Sequence, residues 1–290
     1  MNTSIKISVI VPCYNQAAFM DDCINSLINQ TYPDWECILV NDGSTDNTED
    51  IALAWQKKDN RIKYVKKING GLSSARNTGI LNSTGDFVQF LDCDDFLYKE
   101  KFEKSVQKID HRSNTVIITD FQRFDDATKA LIPPHCILKE EYFNQKDILL
   151  KWDNTFSIPI HCALFSRDIV EKYKFNEILK AKEDWIFWLQ TYGDYPKTHF
   201  INEYLLAYRM SSAGMTNNEF FMYENKTKAI NQLDQIISDK DLLREFFKQN
   251  LLFIMNENYQ LMERVKLLGY KRTMKYKINK VLKIFGIKKN

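Results

Sequence analysis

Two rhythms of apolar and polar positions alternate along the first hundred residues. KISVIVPCY (6–14), WECILVND (35–42), RIKYVKK (61–67) and GDFVQFLD (85–92) are short apolar runs, most of them ending on turn-forming or acidic residues. Runs of that length, rich in β-branched and aromatic side chains, predict strands. Between them the apolar spacing changes to three and four. Phe19, Cys23, Leu27 and Ile28 predict a helix over 17–30, and further helices are expected over 44–58 and 70–82. Asp46 and Glu49, three apart, predict a capping pair for the second of these helices. Strand and helix in alternation predict an α/β fold: a mostly parallel central sheet flanked by helices and joined by right-handed crossovers.

Beyond residue 110 the pattern is less regular. Strands are expected over 114–124 and 199–210, a strand turning into a short helix over 158–170, and a helix over 183–192. From Asn218 the chain reads as mainly helical. No Gly/Ser/Pro linker divides the first 215 residues. The expected organisation is a body over 1–215, with halves 1–110 and 111–215, and a helical appendage over 216–290.

Composition narrows the function classes. A 44% hydrophobic and 27% charged chain of 290 residues is ordinary for a globular protein. A net charge of +2 gives no reason to invoke nucleic acid. No apolar run approaches the ~20 residues of a membrane span, and no secretory leader opens the chain, so a cytoplasmic protein is expected. Six cysteines without CxxC spacing predict reduced, packed thiols rather than a disulfide frame or zinc site.

Open sheets of this kind bind ligands beyond the carboxyl ends of their strands. There the sequence puts its polar clusters: Pro12 to Asn15, Asn41 to Ser44, and Asp92, Asp94 and Asp95. Each alone reads equally as a turn. The three aspartates could be a solvated turn or a cap for a helix around Lys99–Lys108. Their crowding is also what a hard divalent cation, Mg²⁺ or Mn²⁺, would relieve.

The blocks SVIVPCYNQAAF, ILVNDGSTDNT, GGLSSARNTGILNSTGDF and VQFLDCDD, in that order over about residues 5–97, closely resemble family 2 inverting glycosyltransferases. The resemblance implies a GT-A type fold, a DxD motif, a nucleoside-diphosphate-sugar donor, a divalent cation (Mn²⁺ or Mg²⁺) and transfer to a hydroxyl with inversion. Carried onto this sequence, it places Pro12, Tyr14 and Asn15 beneath the nucleotide, and Asp42 on the base. It also places Gly71 and Arg76 in the block that meets the nucleotide or its diphosphate, Asp92 at the ribose or sugar, and Asp94 on the metal. Asp95 receives no firm role.

In the same family an acidic pair opening an aromatic helix carries the catalytic base. Glu183-Asp184-Trp185 has that form, with Asp184 as the base, although a helix cap would use the same residues. His161, Trp185 and Arg209 fall on the acceptor side, although a structural histidine would read the same as His161 and Trp185 reads first as a packing residue, with one aromatic facing the acceptor. Tyr208-Arg209-Met210-Ser211 keeps the arginine of the family's Tyr-Arg-x-His and has serine in place of the histidine. UDP is the nucleotide the family suggests, and a glycan or lipid-linked acceptor the partner. The stretch 264–290, with ten Lys or Arg and no acid, reads as a basic amphipathic helix suited to a membrane surface or to packing on the body. A non-catalytic sugar-nucleotide binder and a sugar-phosphate nucleotidyltransferase are the alternatives.

Overall fold

A computed structural model describes residues 4–210 and 218–267. Strands β1 (Ile7–Cys13), β2 (Trp35–Asn41), β3 (Ile62–Lys66) and β4 (Phe87–Phe90) alternate with helices α1 (Met20–Ile28), α2 (Thr48–Lys58) and α3 (Leu72–Leu81). Among these strands β1 pairs with β2 and β4, and β2 with β3, all in parallel. Every residue of β1, β2 and β4 is buried, which explains their continuous apolar character. Helix α1 turns Met20, Cys23, Ile24 and Leu27 inward, one apolar stripe at helical spacing. Helix α3 lies so close to β1 that a Cβ on Gly79 would stand 2.2 Å from Ile10 Cγ2, so only glycine fits there.

The second half comprises β5 (Phe96–Leu97), α4 (Lys101–Gln107), β6 (Thr115–Asp125), β7 (Ala130–Ile132), α5 (Gln145–Lys151), β8 (Ala163–Ser166), α6 (Arg167–Lys172), α7 (Glu183–Gly193) and β9 (Lys197–Met210). The sheet runs β3-β2-β1-β4-β8-β6-β9-β5, with β7 paired to β6. β8 joins β4 and β6 antiparallel, interrupting the parallel run of the first half, and β6 then pairs with β9 in parallel. The segment expected as strand then helix over 158–170 opens with a 3₁₀ turn, Ile160–Cys162, before β8.

The expected Asp46/Glu49 capping pair does not form. Asp46 instead accepts from Thr48 N (3.0 Å) and from Ala17 N (3.1 Å), tying the β1 and β2 loops together, while Glu49 pairs with Lys66 at 2.6 Å. All six cysteines are free, five of them buried.

By contact density one compact unit runs to Ser238 and a second begins at Asp239. The first unit therefore includes α8 (Glu219–Ile230) and α9 (Leu233–Ile236), beyond the edge expected at 215. Asn225 shows why: it is buried, and its Oδ1 accepts from Lys180 N at 2.9 Å. The second unit contains α10 (Lys240–Leu267), whose first turn is capped by Asp239 accepting from Asp241 N and Leu242 N. Ser211 and the basic stretch from 268 onward lie outside the described residues.

One buried carboxylate stitches the strand starts together. Glu36 accepts from Ser8 Oγ (2.7 Å), Thr84 N (2.6 Å) and Thr84 Oγ1 (2.8 Å), and pairs with Lys63 (2.7 Å) and Lys6 (3.1 Å). Burial opposes its charge, but the Lys63 contact and the hydroxyl and amide donors prevail and hold its pKa down from 4.5 to about 2. A depressed carboxylate stabilises the fold above pH 4.5, and that contribution is lost as pH falls toward 2. Glu36→Gln is expected to lower the unfolding free energy at pH 7 by about 2–3 kcal/mol. It should also flatten the acid limb of stability in that window, measured by urea denaturation at a series of pH values; an unchanged acid limb would contradict this account.

Candidate functional site

At the carboxyl ends of β1, β2 and β4 the loops leave a cavity of about 830 Å³. That is a volume suited to a large polar ligand. Pro12, Tyr14, Asp42, Gly71, Arg76, Asp92, Asp94, His161, Glu183, Asp184 and Arg209 line it, residues far apart in the chain that the fold brings together.

On the glycine side, Asp42 is already satisfied by the protein. Its carboxylate accepts from Gly70 N (2.9 Å), Gly71 N (2.7 Å) and Lys67 Nζ (2.6 Å). Gly71 sits at φ 91°, a conformation glycine adopts without strain. Tyr14 is half exposed at the rim. Asn15 does not line the cavity: held at φ 54°, its Oδ1 accepts from Thr45 N at 2.8 Å and locks the two loops together.

Arg76 is 2% exposed, and its guanidinium is shared between two carboxylates, Asp92 Oδ1 and Glu183 Oε1, each at 2.8 Å. Sequence resemblance placed Arg76 on the diphosphate and Glu183 beside the base. In the structure both are spent on joining the exit of β4 to the start of α7. Burial alone would raise the Asp92 pKa, yet the adjacent Arg76 charge holds it below the ordinary carboxylate range.

The other aspartates differ. Asp94 is half-buried at the cavity wall, and among the described residues no other residue hydrogen-bonds its carboxylate; burial and the Asp92 charge push its pKa up to about 6. Asp95 is buried, its Oδ1 accepting from Arg209 N at 2.6 Å, and burial raises its pKa well above the ordinary carboxylate value. Asp95 Oδ2 stands 3.2 Å from His161 Nδ1 without the alignment of a hydrogen bond, and among the described residues neither ring nitrogen of His161 has a hydrogen-bond partner. Asp92, Asp95 and His161 each offer a ligand atom within 4.8 Å of one another, the only such group among the described residues. Orphaned buried donors beside crowded carboxylates fit a divalent cation.

Arg209 also departs from its expected acceptor-side place. It pairs with Asp22 (2.7 Å) and with Asp126, donates to the Asp94 carbonyl at 2.6 Å, and is surrounded by the rings of Phe19, Phe96 and Phe124. It therefore braces the aspartate loop. Trp185, likewise expected near the acceptor, is buried and donates from Nε1 to Ile148 O at 3.0 Å, because the first turn of α7 directs it onto α5.

Asp184 remains available. It is half-buried in the first turn of α7, where, among the described residues, its Oδ1 accepts only from Trp185 N. Burial, and then the neighbouring Glu183 charge, raise its pKa to about 7. Lys180 and Lys182, which flank this helix start, also line the cavity and were not singled out from sequence. Two cations just ahead of an acidic pair were the available signal.

Residues 8–174 match the family model for glycosyl transferase family 2. The uncharacterized glycosyltransferase EpsJ of Bacillus subtilis (strain 168) is 31% identical over 72% of this chain and 62% of its own length. Glycosyltransferase GlyA of Streptococcus pneumoniae serotype 4 is 30% identical over 73% of this chain and 31% of its own. The chain thus spans less than two thirds of either relative. Among solved structures, S. aureus TarS 1-349 in complex with UDP-GlcNAc superposes with a TM-score of 0.66 at 22% identity, covering 86% of this chain and 73% of that one. The mannosyltransferase PcManGT from Pyrobaculum calidifontis, in complex with GDP-Man and Mn²⁺, gives 0.61 at 14% identity, covering 84% and 68%. At these identities the likeness is one of fold, the α/β GT-A type. With more than half of its length matched to one family model and a relative of this similarity beside it, the chain belongs to glycosyl transferase family 2.

Proposed function

We propose that the cavity binds a nucleoside-diphosphate sugar, UDP-linked, and transfers the sugar with inversion to a hydroxyl of a glycan or lipid-linked acceptor in bacterial surface polysaccharide assembly. The observation that carries this is Asp184: a carboxylate with no cationic partner among the described residues, pKa about 7, lining the same cavity as Asp42, Asp92 and Asp94. Asp184 takes the proton of the acceptor hydroxyl as that oxygen attacks the anomeric carbon. The bond from that carbon to the phosphate oxygen breaks, and its electron pair leaves with the nucleoside diphosphate.

Asp94, facing the cavity beside Asp92, is the residue we assign to the divalent cation, Mn²⁺ or Mg²⁺. When bound, such an ion supplies charge stabilisation for the departing diphosphate. Lys180, whose Nζ donates to the Gly70 carbonyl (2.8 Å) and has no carboxylate partner among the described residues, is the cation on the glycine side that we assign to phosphate. Tyr14 and Pro12 provide the wall for the nucleotide.

Membrane-surface contact is part of the proposal. Among the described residues no helix is long and apolar enough to cross a membrane. Leu251, Leu252, Phe253 and Met255 of α10 are each at least half exposed, just ahead of the lysine-rich sequence from 264. An exposed apolar helix segment followed by a basic sequence is a composition that suits the inner face of a cell membrane.

Asp184→Asn is expected to cut kcat about 10²–10⁴-fold, with KM for the donor little changed, followed as UDP release from a panel of UDP-hexoses. Binding without turnover in the wild type would instead indicate a non-catalytic binder. Because the base must be deprotonated, the wild-type rate should climb as pH rises through about 7 and level off above it; a rate that falls over that range would rule Asp184 out as the base. For the cation, Mn²⁺ binding followed by electron paramagnetic resonance should weaken at least tenfold in Asp94→Ala and persist in His161→Ala. The reverse pattern would move the ion to the Asp92, Asp95 and His161 group.

A further inference from the structure

Pairing each charged side chain of the cavity with its partners leaves a remainder. Arg76 is spent on Asp92 and Glu183, Arg209 on Asp22 and Asp126, and Lys182 on Asp153. Among the described residues that line the cavity, two cations have no carboxylate partner: Lys180, beside the glycine loop, and Arg123. Arg123 belongs to β6, two strands beyond β4 in the sheet order, on the order of 10 Å from the β4 exit. It is therefore on the side of the cavity away from the nucleotide loops.

Arg123 is half-buried and held by one edge. Its Nε donates to Pro133 O at 2.8 Å, while neither Nη has a partner among the described residues. The acids nearest along its own strand are occupied. Asp125 Oδ1 accepts from Ala127 N and Thr128 N, Asp126 pairs with Arg209 and Lys129, and Asp120 accepts from Phe121 N. Around it, His135 meets Ser157 Oγ at 2.9 Å, and Asp153 carries both Lys182 (2.8 Å) and Lys226 (3.4 Å). A planar fork is therefore presented with its two outer nitrogens open.

From this we infer that the acceptor bears an anionic group, a phosphate or a carboxylate, which Arg123 reads with its two free Nη groups. A neutral sugar would leave the guanidinium uncompensated in a half-buried site, whereas a planar or tetrahedral oxyanion satisfies both nitrogens at once. Arg123 is then a specificity-determining residue and takes no part in bond making. The inference rests on the transferase function proposed for the cavity, since it assigns this end to the acceptor.

The test uses the full chain with UDP and Mn²⁺ saturating the donor end. D-glucose, D-glucuronate and D-glucose 6-phosphate are titrated by calorimetry, and the same titrations are made on Arg123→Ala and Arg123→Lys, with thermal unfolding checking that each variant folds. At least one anionic sugar should bind ten times or more tightly than glucose. Arg123→Ala should erase that margin and Arg123→Lys restore only part of it. Whichever anionic sugar shows the margin identifies the group as carboxylate or phosphate. Equal affinity for neutral and anionic sugars, or a margin that survives Arg123→Ala, would overturn the inference. Failure of UDP and Mn²⁺ to bind in the first titration would count against the donor assignment instead, since the anion margin can be read without them.

Discussion

Everything at the cavity depends on the arginine between two carboxylates. Arg76, Asp92 and Glu183 come from α3, the exit of β4 and the start of α7, and their 2.8 Å contacts fix those three pieces against one another. Breaking a buried ion pair by removing one partner costs about 3–5 kcal/mol, because the remaining charge is stranded. The group is therefore a register device: it sets Asp92 at one wall and, through its neighbour Glu183, Asp184 at another. One cation between two anions also leaves the group negative on balance. Asp94 adds to that negative charge; burial first and then the Asp92 charge raise its pKa, and a divalent ion would relieve both.

The remaining charges divide by whether the protein itself satisfies them. Asp42, Arg209 and Glu183 are engaged by backbone or by opposite charge, so their work is to shape loops. Asp94, Asp184, Lys180 and Arg123 line the same space with no ionic partner among the described residues. Buried or half-buried charges left in that condition cost stability, and proteins retain such costs where a ligand compensates them. Two negative and two positive unpartnered groups in one cavity match a ligand set with phosphates, a metal ion and an ionisable hydroxyl.

Much of the first half was legible because strand burial and helix amphipathicity write directly onto the sequence. β1, β2 and β4 are fully buried, so their apolar runs are unbroken, and the polar residues after them fall at the sheet edge by topology alone. The second half was less so. β7 is three partly exposed residues, β5 is two, and α5 is a short helix with two buried side chains, too little pattern to see. Side-chain roles that depend on distant partners were hidden as well. Arg76 meets Glu183 across 107 positions, and Arg209 meets Asp22 across 187. Sequence resemblance could bring both arginines to the site, but not disclose that their guanidinium groups were already committed. Trp185 was misplaced for a local reason: the first turn of α7 turns Asp184 to the cavity and Trp185 into the core.

A crystal structure of this chain with UDP and Mn²⁺ tests the central claim most directly. The account requires the diphosphate to lie in the cavity between Asp94 and Lys180, with Arg76 still bridging Asp92 and Glu183. A nucleotide bound elsewhere, or an Arg76 that leaves both carboxylates to reach the phosphates, would contradict it.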